Sequence, residues 1–256
     1  MKLNTGKCKL IVAGRKDHPV NVKVGESVIE EQNQVELLGA LIDNKLTFRA
    51  HLNKKVKKAN NKLAVIKRNQ SYMSIHQKKI LLSSFVHSQL SYAPLVWMFH
   101  KKYFNKSINK VQERALRLLY TDYTSSFNEL LERDGSYTTH VRNIQILLTE
   151  MFKAKNKLDP SLLRDIFQES NYEGPTLRNS KYFARPNVNT HKYGKRSLFG
   201  VILWEQLPKD IQNEESLSTF KNFIKTWKPT KCPCELCSTN LEGVGRVNLC
   251  ECNNCH

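Results

Sequence analysis

Residues 48–69 read FRAHLNKKVKKANNKLAVIKRN, and this segment sets the architecture of the chain. Its apolar residues recur every three or four positions, which is the spacing of one face of an α-helix. They are Phe48, Leu52, Val56, Ala59, Leu63 and Ile66. Lysines crowd the positions between them. The segment therefore predicts an amphipathic helix with one apolar face for packing and one strongly basic face.

Acidic residues are missing around this helix. Between Asp43 and Glu113 lie 69 residues with 15 Lys or Arg and no Asp or Glu, whereas the rest of the chain is nearly balanced. The net charge of +18 and its placement favour a polyanionic partner, with nucleic acid as the leading candidate. An ordinary solvated basic face is the alternative. The candidate phosphate contacts are Lys54, Lys55, Lys57, Lys58, Lys62, Lys67 and Arg68.

The residues before the helix are rich in β-branched side chains punctuated by glycine and proline. Short strands are predicted at 9–13, 20–24 and 35–42. A tight hairpin is expected at Gly25-Glu26.

More helices follow the basic segment. Capping signals predict helix starts at Ser74 with Gln77, Ser126 with Glu129, and Asp159-Pro160. Apolar spacing predicts helices around 108–119, 144–151, 198–207 and 216–227. The fold class is thus α+β and mainly α, with an N-terminal antiparallel β-hairpin or sheet, a helical bundle and an irregular Cys-rich tail. The expected segments are 1–46 (strands), 47–170 (basic helical bundle), 171–195 (linker), 196–229 (small helical segment) and 230–256 (tail).

Six of the seven cysteines lie in the last 25 residues. The pattern Cys-x-Cys-x-x-Cys occurs twice there, and two Cys-x-x-Cys pairs can hold one structural zinc ion. A Cys-rich end without metal is the alternative. The predicted ligands are Cys234, Cys237, Cys252 and Cys255, with Cys232, Cys250 and His256 as alternates.

Aromatic side chains interleave with basic residues at 92–104. Tyr92 and its neighbours could stack on bases. Ordinary core packing is the alternative, and it is favoured for Trp97.

Common catalytic and nucleotide-binding motifs are absent. The sequence has no Gly-x-Ser-x-Gly, no phosphate-binding Gly-rich loop and no Asp-Asp pair. No nucleotide cofactor and no catalysis are expected. No run of eighteen apolar residues exists and the N-terminus lacks a signal-peptide core, so we expect a soluble intracellular protein without a membrane partner.

Several motifs together resemble the region that follows the catalytic palm in reverse transcriptases of non-LTR, LINE-type, jockey-like retrotransposons. The order and spacing of these motifs carry the resemblance over nearly the whole chain. They are Leu37–Phe48 followed by His51, Ser88–Tyr92, Pro94–Trp97, Glu113–Arg117, Asp122–Phe127, Arg142–Gln145 and Trp227-x-Pro229.

The resemblance implies a primer grip at Leu38-Gly39, followed by a thumb and a connection region. It also implies that a helix lies along a primer–template duplex of RNA or DNA and binds it without sequence preference. The aromatic-x-Asp-Asp motif of the family is absent, as is the endonuclease, and the second cysteine group is not a family feature. We therefore expect a non-catalytic nucleic-acid-binding fragment with a nuclear location. The alternative is a zinc-binding interaction or scaffold protein.

Overall fold

The computed structural model describes residues 4–13, 20–99, 102–160, 165–170, 182–186, 195–230 and 232. The described chain is mainly helical, with two antiparallel hairpins near the N-terminus, as the sequence predicts. It divides into two compact units, Met1–Ala93 and Pro94–His256. The predicted bundle of residues 47–170 spans this division.

The first unit opens with the hairpin expected at Gly25-Glu26. Strands β1 (Val22–Val24) and β2 (Ser27–Ile29) pair antiparallel around that turn. Gly25 has φ +60, a left-handed conformation that glycine adopts without a steric penalty. The strand predicted at 9–13 is wrong, because Leu10 forms only an isolated bridge with Glu31.

The single strand predicted at 35–42 is also wrong. It is a second hairpin of β3 (Gln34–Leu37) and β4 (Ala40–Asp43), with Leu37 opposite Ala40. Leu38 and Gly39 form the two-residue turn, with φ of +47 and +78. Two positive φ values are the signature of the turn that matches the twist of paired strands. Apolar residues on both sides of the turn conceal it in the sequence.

Helix α1 (Arg49–Arg68) confirms the predicted basic helix. Its buried residues are His51, Leu52, Ala59, Leu63 and Ile66. This face packs against β4 and against the helical segment that follows. Packing of the apolar face stabilises a helix whose lysines alone would repel one another.

The helical segment after α1 begins at the predicted capping box. Ser74 Oγ accepts from the Gln77 amide at 3.3 Å, and Gln77 Oε1 accepts from the Ser74 amide at 2.9 Å. The segment comprises α2 (Ile75–Leu81), a π-helical stretch (Leu82–His87) and α3 (Ser88–Leu90). It ends before the next unit, which begins at Pro94.

The second unit is helical and centred on α7. The helices whose bounds are described are α4 (Pro94–Trp97), α5 (Lys102–Tyr120), α6 (Phe127–Asp134), α7 (Thr139–Lys155), α8 (Lys195–Trp204), α9 (Lys209–Gln212) and α10 (Leu217–Thr226). The capping box predicted for α6 is confirmed, since the Glu129 amide donates to Ser126 Oγ and the Ser126 amide to Glu129 Oε2.

The C-terminal helices share one core with α7. Both α8 and α10 pack on α7. The Phe152 and Phe220 rings stack with centroids 4.3 Å apart, and Trp204 packs edge-on against Phe183 at 5.3 Å. Burial of such aromatic rings supplies a large share of a core's stability. The predicted small helical segment 196–229 is therefore an integral layer of the second unit.

Some predictions fall largely outside the described residues. These are most of the helix start after Asp159-Pro160, most of the linker 171–195 and all of the Cys-rich tail except Cys232. Within the described ranges, no helix is long and apolar enough to cross a membrane.

Candidate nucleic-acid interface

The side of α1 that faces away from the core carries its cations. Besides Arg49 at the start of the helix, the exposed cations belong to the predicted set and are Lys57, Lys58, Lys62, Lys67 and Arg68. Lys58 and Lys62 are four residues apart and thus stand about one turn apart along the helix. We call these five residues the α1 basic face. Because the opposite face of α1 is buried, these charges project from a rigid support.

Lys54 departs from the predicted set. Its ammonium forms an ion pair with Glu36 of β3, with Nζ 2.9 Å from Oε2. Hydrogen bonding and charge attraction from Lys54 lower the pKa of Glu36. One carboxylate thus stands beside the basic helix, although the sequence around the helix is free of acids. Any phosphate at Lys54 must compete with Glu36.

Lys55 is also engaged within the unit. Its ammonium lies 4.3 Å from the centroid of the Tyr92 ring, and Lys62 lies 5.7 Å from the Phe85 ring. Burial lowers the pKa of Lys55, and the charges of Lys58 and Lys54 lower it further. A bound polyanion would counter the repulsion from Lys58 and Lys54, and it would therefore favour the ammonium form of Lys55.

The turn between β3 and β4 meets the C-terminal end of the α2–α3 segment. The Tyr92 hydroxyl donates to the Leu38 carbonyl oxygen. A Cβ atom placed on Gly39 would lie 3.5 Å from the same hydroxyl. The Leu38 side chain itself is 84% exposed. The Leu38-Gly39 turn and the Ser88–Tyr92 motif are therefore in direct contact, through residues that lie 54 positions apart in the sequence.

The His51 side chain connects the β3–β4 hairpin to α1. It is fully buried, and its Nδ1 accepts the Leu41 amide hydrogen at 3.1 Å. Burial, followed by the charges of Lys55 and Lys54, lowers the pKa of His51 to about 4. A neutral imidazole joins β4 to α1.

A shallow polar depression lies at the N-terminal end of α1. It has a volume of about 330 Å³ and is lined by Asn33, Asn44, Lys45, Arg49 and Asn53, among others. Amide and cationic donors of this kind suit a phosphate oxygen. No sequence signal marked the depression, because its lining comes from β3, β4 and α1 together.

Other motifs of the resemblance have structural roles. The Asp122 carboxylate accepts hydrogen bonds from the Thr124 and Ser125 amides, each at 3.0 Å, and from the Ser125 hydroxyl. These bonds lower the pKa of Asp122 and order the loop before α6. Trp97 is buried, as predicted, whereas Tyr92 remains partly exposed.

The predicted zinc ligands are almost all outside the described residues. Cys234, Cys237, Cys252 and Cys255 lie there, as do the alternates Cys250 and His256. Cys232 is described, and it is buried. Within the described part of the chain, no group of three or more metal-ligating side chains occurs.

Comparison with known proteins gives no relative. No protein-family model, no curated protein and no solved structure matches the chain.

Proposed function

We propose that the chain is a non-catalytic nucleic-acid-binding fragment of retrotransposon reverse-transcriptase type, which grips a primer–template duplex through α1. The observation that carries the proposal is the α1 basic face. The five exposed cations of this face stand on a helix whose other face is buried, so the helix presents fixed charge to a phosphate backbone. Contacts of this kind position a duplex and carry little sequence information.

The turn at Leu38-Gly39 suits a second contact, with the primer terminus. Leu38 holds a left-handed φ of +47, and its apolar side chain is exposed. Strained conformations of bulky residues persist where the surrounding structure fixes them, and they cluster at functional sites. The hydrogen bond from Tyr92 fixes this turn close to Lys55. The exposed leucine would pack against a sugar or base at the end of the duplex.

The test is the affinity of the full chain for a labelled RNA–DNA duplex, measured by fluorescence anisotropy. One variant replaces Lys57, Lys58 and Lys62 by glutamine. The matched control replaces three exposed lysines of the second unit, Lys157, Lys221 and Lys225, in the same way. Both variants lose the same formal charge, so non-specific attraction falls equally in the two.

The expected result is a loss of at least tenfold in affinity for the α1 variant and a change of less than threefold for the control. Equal losses in the two variants would mean that net charge alone, rather than α1, attracts the duplex. No binding by the wild-type chain at low salt would mean that the basic face is only solvated. An interaction role for the second unit would then become the leading hypothesis.

A further inference from the structure

Two exposed aromatic side chains of the first unit lie beside lysines of α1. The Lys62 ammonium lies 5.7 Å from the centroid of the Phe85 ring, and the Lys55 ammonium lies 4.3 Å from that of the Tyr92 ring. Phe85 is 45% exposed and Tyr92 is 43% exposed. Each ring is therefore accessible to a ligand and has a cation next to it.

The two lysine–ring pairs repeat at the same interval along two packed stretches of the chain. Lys55 and Lys62 are seven residues apart on α1, and Phe85 and Tyr92 are seven residues apart on the stretch that packs against it. The earlier lysine contacts the later ring, so the two stretches run antiparallel. Seven residues rise about 10.5 Å along a helix. We call these four residues the aromatic–lysine row.

The backbone that carries the two rings is fixed. Leu82 and Val86, which flank Phe85 in the π-helical stretch, are buried. The Tyr92 hydroxyl donates to the Leu38 carbonyl oxygen. Rings that are already held in place lose little conformational freedom when a ligand stacks on them.

The alternation of rings and cations matches the chemistry of an unpaired nucleic-acid strand. Such a strand offers open base faces to aromatic rings and phosphates to cations, and proteins bind single strands through this combination. Along a duplex, by contrast, each base face is covered by the neighbouring bases. At about 3.4 Å per stacked nucleotide, the distance between the two pairs corresponds to about three nucleotides.

The charge around the row also suits a polyanion. The row lies within the stretch between Asp43 and Glu113, which has no acidic residue. Glu36 acts on Lys55 from β3, but its carboxylate is hydrogen-bonded to the Lys54 ammonium at 2.9 Å.

We propose that the aromatic–lysine row binds an unpaired stretch of RNA or DNA, with bases stacked on Phe85 and Tyr92 and phosphates at Lys55 and Lys62. This inference goes beyond the proposed grip on a duplex, because the row recognises open base faces. Lys62 also belongs to the α1 basic face. The two modes of binding share this cation, but only single-strand binding needs the rings.

The test compares the affinity of the full chain for a labelled single strand of about twelve nucleotides with its affinity for a blunt RNA–DNA duplex, by fluorescence anisotropy. Phe85→Leu removes the ring but keeps an apolar side chain. It should weaken single-strand binding at least fivefold and change duplex affinity less than about twofold. Phe85→Trp restores a ring and should bind the single strand as the wild type does. The matched control is Tyr123→Leu, at an exposed tyrosine of the second unit, and it should leave both affinities unchanged.

A second pair of variants separates the Tyr92 ring from its hydrogen bond. Tyr92→Phe loses the bond to Leu38 but keeps the ring, so single-strand binding should persist. Tyr92→Leu should weaken it. A 2-aminopurine base within the strand reports stacking directly, because its fluorescence falls when it stacks on a ring. The wild-type chain should quench this base, and Phe85→Leu should quench it less.

Wild-type affinity and quenching in Phe85→Leu would overturn the proposal. Equal losses for the single strand and the duplex would also overturn it, since they would reflect a change in the fold rather than a lost ring. The same holds if the wild-type chain binds no single strand at low salt. A chain that binds the single strand through these rings but does not bind the duplex would support the row and contradict the duplex grip.

Discussion

Leu38 combines strain with exposure at the turn between β3 and β4. A bulky residue at φ +47 pays a steric penalty on the order of 1 kcal/mol, which asparagine largely avoids. Leu38→Asn should therefore raise the free energy of unfolding by about 1 kcal/mol, measured by urea denaturation. If Leu38 contacts the duplex end, the same variant should bind a primer–template less tightly. A variant that is more stable and binds as well as the wild type would remove Leu38 from the interface.

His51 makes the stability of the first unit sensitive to pH. Its pKa is about 4 in the folded chain against an ordinary value of 6.5, so the unfolded chain binds the proton more readily. The stabilisation is complete above pH 6.5 and is lost as the pH falls towards 4. Between pH 7 and pH 4.5 the loss should be on the order of 2 kcal/mol.

Urea denaturation at several pH values checks this expectation. His51→Asn keeps an acceptor near the position of Nδ1 but does not titrate, so its stability should vary less between pH 7 and pH 4.5. The exposed His76 offers a matched control, and His76→Gln should keep the wild-type pH dependence. An unchanged slope in His51→Asn would contradict a neutral, buried imidazole.

Single residues were only partly predictable from sequence. The spacing of the lysines opposite an apolar stripe predicted that they are exposed. The lysines of the α1 basic face are indeed exposed. The roles of Lys54 and His51 depend on Glu36 and Leu41, which belong to strands that pair through a turn the sequence concealed. Neither partner lies within one helical turn, so local patterns carried no sign of them.

The start of α1 at Arg49 depends on a carboxylate six residues earlier. Asp43 accepts from the Thr47 amide at 3.0 Å and from the Phe48 amide at 2.7 Å. Asp43→Ala would leave these donors without their acceptor and should destabilise the first unit by about 1–3 kcal/mol in urea denaturation. Thr47→Ser retains the side-chain hydroxyl and serves as the control. A cost below about 0.5 kcal/mol for Asp43→Ala would mean that water replaces the carboxylate.

Removal of the Glu36 carboxylate should raise the affinity of the chain for the duplex. Glu36→Gln removes the carboxylate beside Lys54 and releases its ammonium for a phosphate. Exposed ion pairs are weak, so the affinity for the duplex should increase only roughly 1.5- to 5-fold. Anisotropy with Glu132→Gln in α6 as the control measures the gain. A loss of affinity would place the duplex away from Lys54.

Helices and turns that have a local sequence signal were predicted well, whereas elements without such a signal were missed. The capping boxes at Ser74 and Ser126 specify helix starts within four residues, and both are present. The apolar pattern at 35–42 missed the turn at Leu38-Gly39, because a leucine seldom occupies the first position of such a turn. The π-helical stretch at 82–87 has no sequence signal that marks it off from the α-helix around it.

At the scale of the molecule, the two units differ in the features that they carry. The first unit holds the α1 basic face, and the second holds a large apolar core and a buried contact in which His140 Nε2 lies 3.5 Å from Cys232 Sγ. The charge pattern along the chain predicted the first of these features. The histidine could not be predicted, because only the packing of α7 against the C-terminal segment brings it to the cysteine.

The most direct test of the α1 basic face is the salt dependence of duplex binding between about 50 and 200 mM salt. Each neutralised phosphate contributes about 0.9 to the slope of log K against log salt on B-DNA. Replacing Lys57, Lys58 and Lys62 by glutamine should lower that slope by roughly 2–3, while the second-unit triple variant keeps the wild-type slope. Equal slopes in all three proteins would show that α1 contacts no phosphates.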